Sequence, residues 1–198
     1  MKNLLGSATN QLGIVVDLDL RPEGKNGPMS RTIESHREYA QRWASTWERQ
    51  AAVRARPIGE GSLSDSARAL FDELAYGGVS ESDVRDIRLL KARMENERLP
   101  RGIEPARHVK LGPGGLTDVE WTIQLIQMRA GMTNPALRTP STTQAILSAR
   151  EHELISAQDA QILLDAWDMA TRIRAANTLA TGRMSGVKLD VLPRDSAE

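Results

Sequence analysis

Hydrophobic and polar positions follow two different periods along this chain. Gly13-Ile14-Val15-Val16 runs into a strict alternation, so that Val16, Leu18 and Leu20 share one face and Asp17, Asp19 and Arg21 the other. That period of two predicts a strand with one buried face. Pro22 stops it, and Gly24, Gly27 and Pro28 predict a turn-rich loop. No second convincing strand follows, and a lone strand is not stable. Its sheet partners are therefore expected from elsewhere, which makes the chain itself read as a fragment.

From Thr32 the period becomes helical. A first helix is predicted with His36, Tyr39, Ala40, Trp43, Trp47 and Ala51 as one stripe. A second, over about Asp65–Tyr76, buries Leu70, Phe71 and Leu74 and ends at Gly77-Gly78. Ser80 with Asp83 opens a third, which buries Val84, Ile87, Leu90 and Met94 and ends by Pro100. Thr117-Asp118-Val119-Glu120 reads as a further capping box, and the helix it starts is apolar on most sides and expected to be central. Two more are predicted over about Thr142–Glu151 and Gln158–Ala180, the latter capped by Ser156 and closed by Gly182. The tail from Arg183 has no periodicity. The expected organisation is a mainly α chain: residues 1–30 with a strand and loop whose sheet partners come from elsewhere, 31–182 as a helical bundle, and 183–198 as an irregular tail.

Composition narrows the chemistry. The 198 residues are 40% apolar but only 4% aromatic, so aliphatic side chains must fill the core, as suits closely packed helices. The 26 basic and 26 acidic residues balance, against the excess of basic charge expected of a nucleic-acid binder. With no cysteine, disulfides, thiol catalysis and cysteine-ligated metals are excluded, and a reducing compartment, the cytoplasm, is expected. No apolar run approaches the ~20 residues that span a bilayer.

Three places could carry chemistry. Asp17 and Asp19 on the strand face offer oxygen ligands of the kind Mg²⁺ takes, although a solvated edge strand has the same pattern. Gly6-Ser7 followed by Asp17-Leu18-Asp19 loosely matches the Gly-Ser…Asp-x-Asp signature of polymerase-β-like nucleotidyltransferases. Lys110-Leu111-Gly112-Pro113-Gly114-Gly115 precedes a helix, where backbone amides attract anions and Lys110 adds a charge. A helix-capping loop explains the same residues, and no Gly-Lys-Ser/Thr follows as a P-loop would need. The charges Arg85, Arg88, Lys91, Arg93 and Arg98 alternate with Asp86, Glu95 and Glu97, the mark of a solvated face. His36, His108 and His152 lack metal-ligand spacing. The four tryptophans, on helical stripes, are expected in the core.

Several segments together are more specific. Val16-Asp17 through Leu20-Arg21-Pro22-Glu23-Gly24-Lys25-Asn26-Gly27-Pro28, then Trp47-Glu48-Arg49-Gln50-Ala51 with Val53-Arg54-Ala55-Arg56, then Ile87–Gly102, then Lys110-Leu111-Gly112 through Glu120-Trp121 and Gln124, occur in this order. They resemble blocks of the glutamine synthetase adenylyltransferase family, with the Ile87–Gly102 block in its actinobacterial form. The Thr46-Trp47-Glu48 form resembles the family's C-terminal, adenylylating half.

The resemblance implies an enzyme that transfers AMP from ATP to a tyrosine of glutamine synthetase and, in its other half, removes it by phosphorolysis. It implies a polymerase-β-like nucleotidyltransferase α/β domain, of which residues 1–30 are the last strand and loop, followed by a helical bundle, with three carboxylates holding Mg²⁺. By position Asp17 matches the third of these, the catalytic and metal-binding residue carried by a late strand. The Gly6-Ser7 match is thereby overturned, since the family's Gly-Ser…Asp-x-Asp element precedes that strand. Asp19 departs from the family pattern and is a doubtful second ligand. Arg21, Lys25 and Lys110 are weaker candidates for the nucleotide or phosphate side, with a structural role in the loop as the alternative for Arg21 and Lys25 and an Arg–Asp brace as a further one for Arg21. The expected partners are glutamine synthetase and a PII-type regulator, with no nucleic acid and no membrane. The chain alone is expected to be inactive. The runner-up is a non-catalytic helical module that docks glutamine synthetase or such a regulator.

Overall fold

In the computed structural model, residue 18 and residues 20–182 and 189–192 are described. The chain divides into two units, Met1–Ala44 and Ser45–Glu198. The described residues are mainly helical and contain no sheet; their one β-bridge pairs His108 with Val191.

In the first unit most of the predicted strand lies outside the described residues. Its described end is not extended: Leu20 and Arg21 enter a turn, and Leu20, expected on the buried face, is 72% exposed. The turn wins because Gly24 N–H donates to Arg21 O (2.8 Å) and Pro22 has no N–H to give a ladder. A 3-10 turn follows over Gly24–Asn26. Helix α1 (Ile33–Arg42) is capped by Thr32, whose hydroxyl accepts from Ser35 N–H at 3.1 Å. Arg31 pairs with Glu23 (2.7 Å) and lies 5.5 Å from the centre of the Tyr39 ring, tying the loop to the helix.

The expected long first helix is broken. Its stripe stops at Trp43, and α2 (Thr46–Ala52) starts anew because Ser45 and Glu48 form a capping box, Ser45 N–H donating to Glu48 Oε2 at 2.8 Å. The break alters the expected core as well: Trp43 is 61% and Trp47 44% exposed.

The remaining helices are α3 (Ser62–Tyr76), α4 (Glu81–Arg98), α5 (Leu116–Ala130), α6 (Thr142–Glu151) and α7 (Ala157–Thr181). Ser80 and Ser156 cap as read from sequence, accepting from Asp83 N–H (3.1 Å) and Asp159 N–H (3.0 Å). Gly182 takes the left-handed conformation that ends α7. Helix α5 is central, packing on α2, α3, α6 and α7. On one side Val119 and Ile123 meet Leu137, Ala145, Ile146, Ala149 and Ala160; Met128 joins Ala52, Val53, Ala75, Tyr76 and Ile87 in a second cluster. Alanines at so many contacts let the helix axes approach closely. Buried Gln127 bridges to the connection before α6, its Nε2 donating to Leu137 O (2.6 Å) and Thr139 O (2.8 Å). No described helix is long and apolar enough to cross a membrane.

Candidate functional site

Asp17, Asp19 and Gly6-Ser7 lie outside the described residues. The loop that follows them is described, and it has a defined internal order. Arg21 spends its guanidinium on backbone: Nε donates to Gly27 O (3.0 Å), one terminal nitrogen to Leu18 O and the other to Lys25 O (3.2 Å). A five-donor planar fork suits such a task, drawing both ends of the loop together. Gly27 is buried beside Pro22 O, which a Cβ would approach to 2.0 Å, so this position excludes any side chain. Lys25 is exposed on the same loop.

The glycine loop before α5 has its amides occupied. Gly112 N–H donates to His108 O (2.7 Å), Gly115 N–H to Gly112 O (2.9 Å), Leu116 N–H to Val109 O (2.9 Å) and Thr117 N–H to Lys110 O (3.0 Å). Leu111 N–H reaches His108 Nδ1 at 3.1 Å, and Gly114 N–H reaches Asp118 at 2.6 Å. Gly112 is required because Pro105 O would stand 2.0 Å from its Cβ. The loop thus presents an exposed Lys110 side chain, but its amides are turned inward.

This arrangement corrects the expected Thr117 cap. Helix α5 begins at Leu116 with Gly115 before it, and carbonyls of the preceding loop satisfy its first amides. The Thr117 hydroxyl donates to Lys110 O (2.7 Å) instead. Glu120 pairs with Arg54 (2.7 Å), whose guanidinium also donates to Thr142 Oγ1 (3.1 Å). Asp118 pairs with Lys91, which also holds Glu95. Burial works to lower the Lys91 pKa, but hydrogen bonds to Asp118 and Glu95 outweigh it and hold it above its ordinary value. One turn further along, buried Gln50 Nε2 donates to buried Gln124 Oε1 at 2.9 Å. The sequence blocks around Gln50 and Lys91 therefore both meet the block of Glu120, on different faces of α5.

A second polar centre ties α4 to α2. Asp83 accepts from Ser80 and from Thr46 Oγ1 (2.9 Å), with Arg49 at 3.4 Å; these bonds, Ser80's first, hold its carboxyl below the usual range.

Two features had no sequence signal. The segment Leu189–Leu192 returns to the loop before α5, with Val109 N–H donating to Asp190 O (2.8 Å) and Leu192 N–H to Arg107 O (2.8 Å). Four residues are too few to show a period. Beneath them His108 is 4% exposed, and burial pushes its pKa down. No group of three or more His, Asp or Glu among the described residues is placed to hold a metal ion.

Comparison with known proteins gives these contacts a context. Residues 1–70 match the family model described as glutamate-ammonia ligase adenylyltransferase, and residues 88–194 the model described as GlnD PII-uridylyltransferase. The chain is similar to the bifunctional glutamine synthetase adenylyltransferase/adenylyl-removing enzyme of Cutibacterium acnes, 45% identical over 201 residues, which are 100% of this chain and 20% of the relative. Its counterpart from Leifsonia xyli subsp. xyli is 47% identical over 96% of this chain and 19% of its own length. That from Streptomyces coelicolor is 46% identical over 100% and 20%. The chain spans about a fifth of the length of these curated relatives. With blocks in the same order and so high an identity along its length, the chain belongs to the glutamine synthetase adenylyltransferase/adenylyl-removing enzyme family.

Proposed function

We propose that this chain serves an enzyme that transfers AMP from ATP to a tyrosine of glutamine synthetase and, in the longer protein, removes it by phosphorolysis. The similarity that supports this runs along the whole chain at 45% identity, so it takes in Asp17 and its loop as well as the helices. Residues 1–30 then serve as the end of the nucleotidyltransferase domain and 31–182 as the helical domain behind it. Asp17 is the catalytic carboxylate of the segment, with Asp19 beside it in sequence. Carboxylate oxygens are the donor type Mg²⁺ takes, so these two residues would hold it. Once bound, the ion would neutralise phosphate charge. Arg21 acts by closing the loop after Asp17 onto its own carbonyls, and Lys25 and Lys110 offer positive charge toward the nucleotide side. Glutamine synthetase is the macromolecular partner and a PII-type protein the regulator. The absence of cysteine fits work in the cytoplasm.

The test uses a protein of the relatives' length that carries this segment. Replacing Asp17 by Asn should reduce AMP incorporation into glutamine synthetase to background while leaving the helical content intact. Full activity in that variant would overturn the assignment of Asp17. The chain by itself should bind Mg-ATP weakly and transfer no AMP; robust turnover would show that it needs no further carboxylates.

A further inference from the structure

A cleft opens in the second unit, well apart in sequence from Asp17. It lies between the segment after α2, the outer face of α3 and the connection leading into α6. Its walls bring together Arg56, Arg68, Phe71, Asp72, Tyr76 and Arg138. The room inside is about 80 Å³. That is enough for several waters or one phosphate-sized group, and too little for a nucleoside.

Charge in the cleft is unbalanced. Three guanidiniums face one carboxylate. Arg138 is held in place, its Nε donating to Gly131 O (2.8 Å), with Asp72 at 3.8 Å and the Tyr76 ring 5.8 Å beneath it. Arg56 and Arg68 make no hydrogen bond or ion pair with any described residue. Other exposed arginines of this unit, such as Arg85, Arg88, Arg98 and Arg150, also make no side-chain bond to a described residue; what distinguishes Arg56 and Arg68 is that they line the same concavity as Arg138.

The floor supplies a second, independent sign. Tyr76 is only 5% exposed, yet its hydroxyl bonds to no described residue. The hydroxyl is not one of the described polar atoms sealed from solvent without a partner, so it stays accessible and can donate to a group in the cleft. Burial, with Asp72 adding to it against Arg138, pushes its pKa up to about 12. The phenol therefore stays protonated at working pH and remains a donor.

We propose that this cleft binds a phosphoryl group, free or at the end of a phosphorylated small molecule whose remainder stays outside the mouth. A planar carboxylate is matched by one arginine fork. Here donors come from separate segments, Arg56 from the α2–α3 connection, Arg68 and Tyr76 from α3, and such convergence suits the several oxygens of a tetrahedral anion. Phe71 and the flanking proline rings shield one side, which strengthens the charged hydrogen bonds by excluding water.

Titration calorimetry of the full chain with inorganic phosphate, AMP and sulfate, at constant ionic strength, tests this. Saturable phosphate binding is expected. AMP binding as tightly as phosphate would assign the site to the phosphoryl group alone, and tighter AMP binding would assign it to a nucleotide's phosphate. Arg56→Gln and Arg68→Gln, at exposed positions without partners, should each raise the phosphate Kd about tenfold with unchanged helical content. Tyr76→Phe keeps the ring and should weaken binding by a smaller factor. Failure of both phosphate and AMP to bind, equal binding of sulfate and phosphate in all variants, or phosphate affinity that none of the three substitutions moves would overturn the proposal.

Discussion

The two sides of α5 are held by different chemistry. On one, Val119 and Ile123 pack against Leu137, Ala145, Ile146 and Ala149, all buried and all apolar. On the neighbouring face, Glu120 and Gln124, one turn apart, meet Arg54 and Gln50, one turn apart on a single earlier segment. Apolar packing is non-directional, so many combinations of aliphatic residues of suitable volume fill the first side. Hydrogen bonds and ion pairs need particular atoms in particular places, so the second side fixes residue type. Gln50, Arg54, Glu120 and Gln124, which stand in the short blocks that resemble the family, make this polar side and clamp the helices there.

The comparison can be broken from either side. Ile146→Ala on the apolar side removes fully buried volume and should cost about 3 kcal/mol in denaturant unfolding, the largest effect of the set. On the polar side, Gln124→Leu leaves Gln50 buried without its partner and should cost about 1–3 kcal/mol. Replacing both Gln50 and Gln124 by Leu should cost less than either single change, because no polar atom is then stranded. Additive losses in that cycle would mean that the pair is not the unit of stabilisation on this side.

Sequence reading succeeded where the signal was local. Ser80 and Ser156, each with an acidic residue three positions on, cap the helices they were assigned. It failed where a long-range contact overrode a local sign. Thr117-Asp118-Val119-Glu120 has the form of a cap, but carbonyls of the folded-back loop take that task and release Glu120 to pair with Arg54. At Ser45 the reverse happened: a local capping box with Glu48 starts a new helix where the apolar stripe through Trp43 and Trp47 suggested one continuous helix. The cleft was invisible for a different reason, since Arg56, Tyr76 and Arg138 stand on separate segments that share no spacing. Of the site expected from sequence, the described part is Arg21, Lys25 and Lys110, and the bonds of Arg21 to three carbonyls are those of a structural residue of its loop, one of the roles weighed for it.

The smallest expected effect separates the two sides of α5 by pH. The apolar side has nothing to titrate, whereas the loop that leads into α5 carries buried His108. Its Nδ1 accepts from Leu111 N–H, and burial keeps the ring neutral, with Asp190 opposing that shift and Lys110 adding to it. Its folded pKa is thus below the 6.5 of the unfolded chain. Between the two values the unfolded state binds a proton that the folded state does not, so the stabilisation is complete above pH 6.5 and is lost as pH falls toward the folded value. Denaturation midpoints measured on either side of pH 6.5 should fall on the acid side. In His108→Asn, whose side-chain oxygen can still accept from Leu111 N–H, that decline should be shallower, although the smaller side chain lowers stability at every pH. An unchanged slope in the variant would place the acid sensitivity elsewhere. A flattened one would assign the acid sensitivity to His108, the ring that burial keeps from protonation.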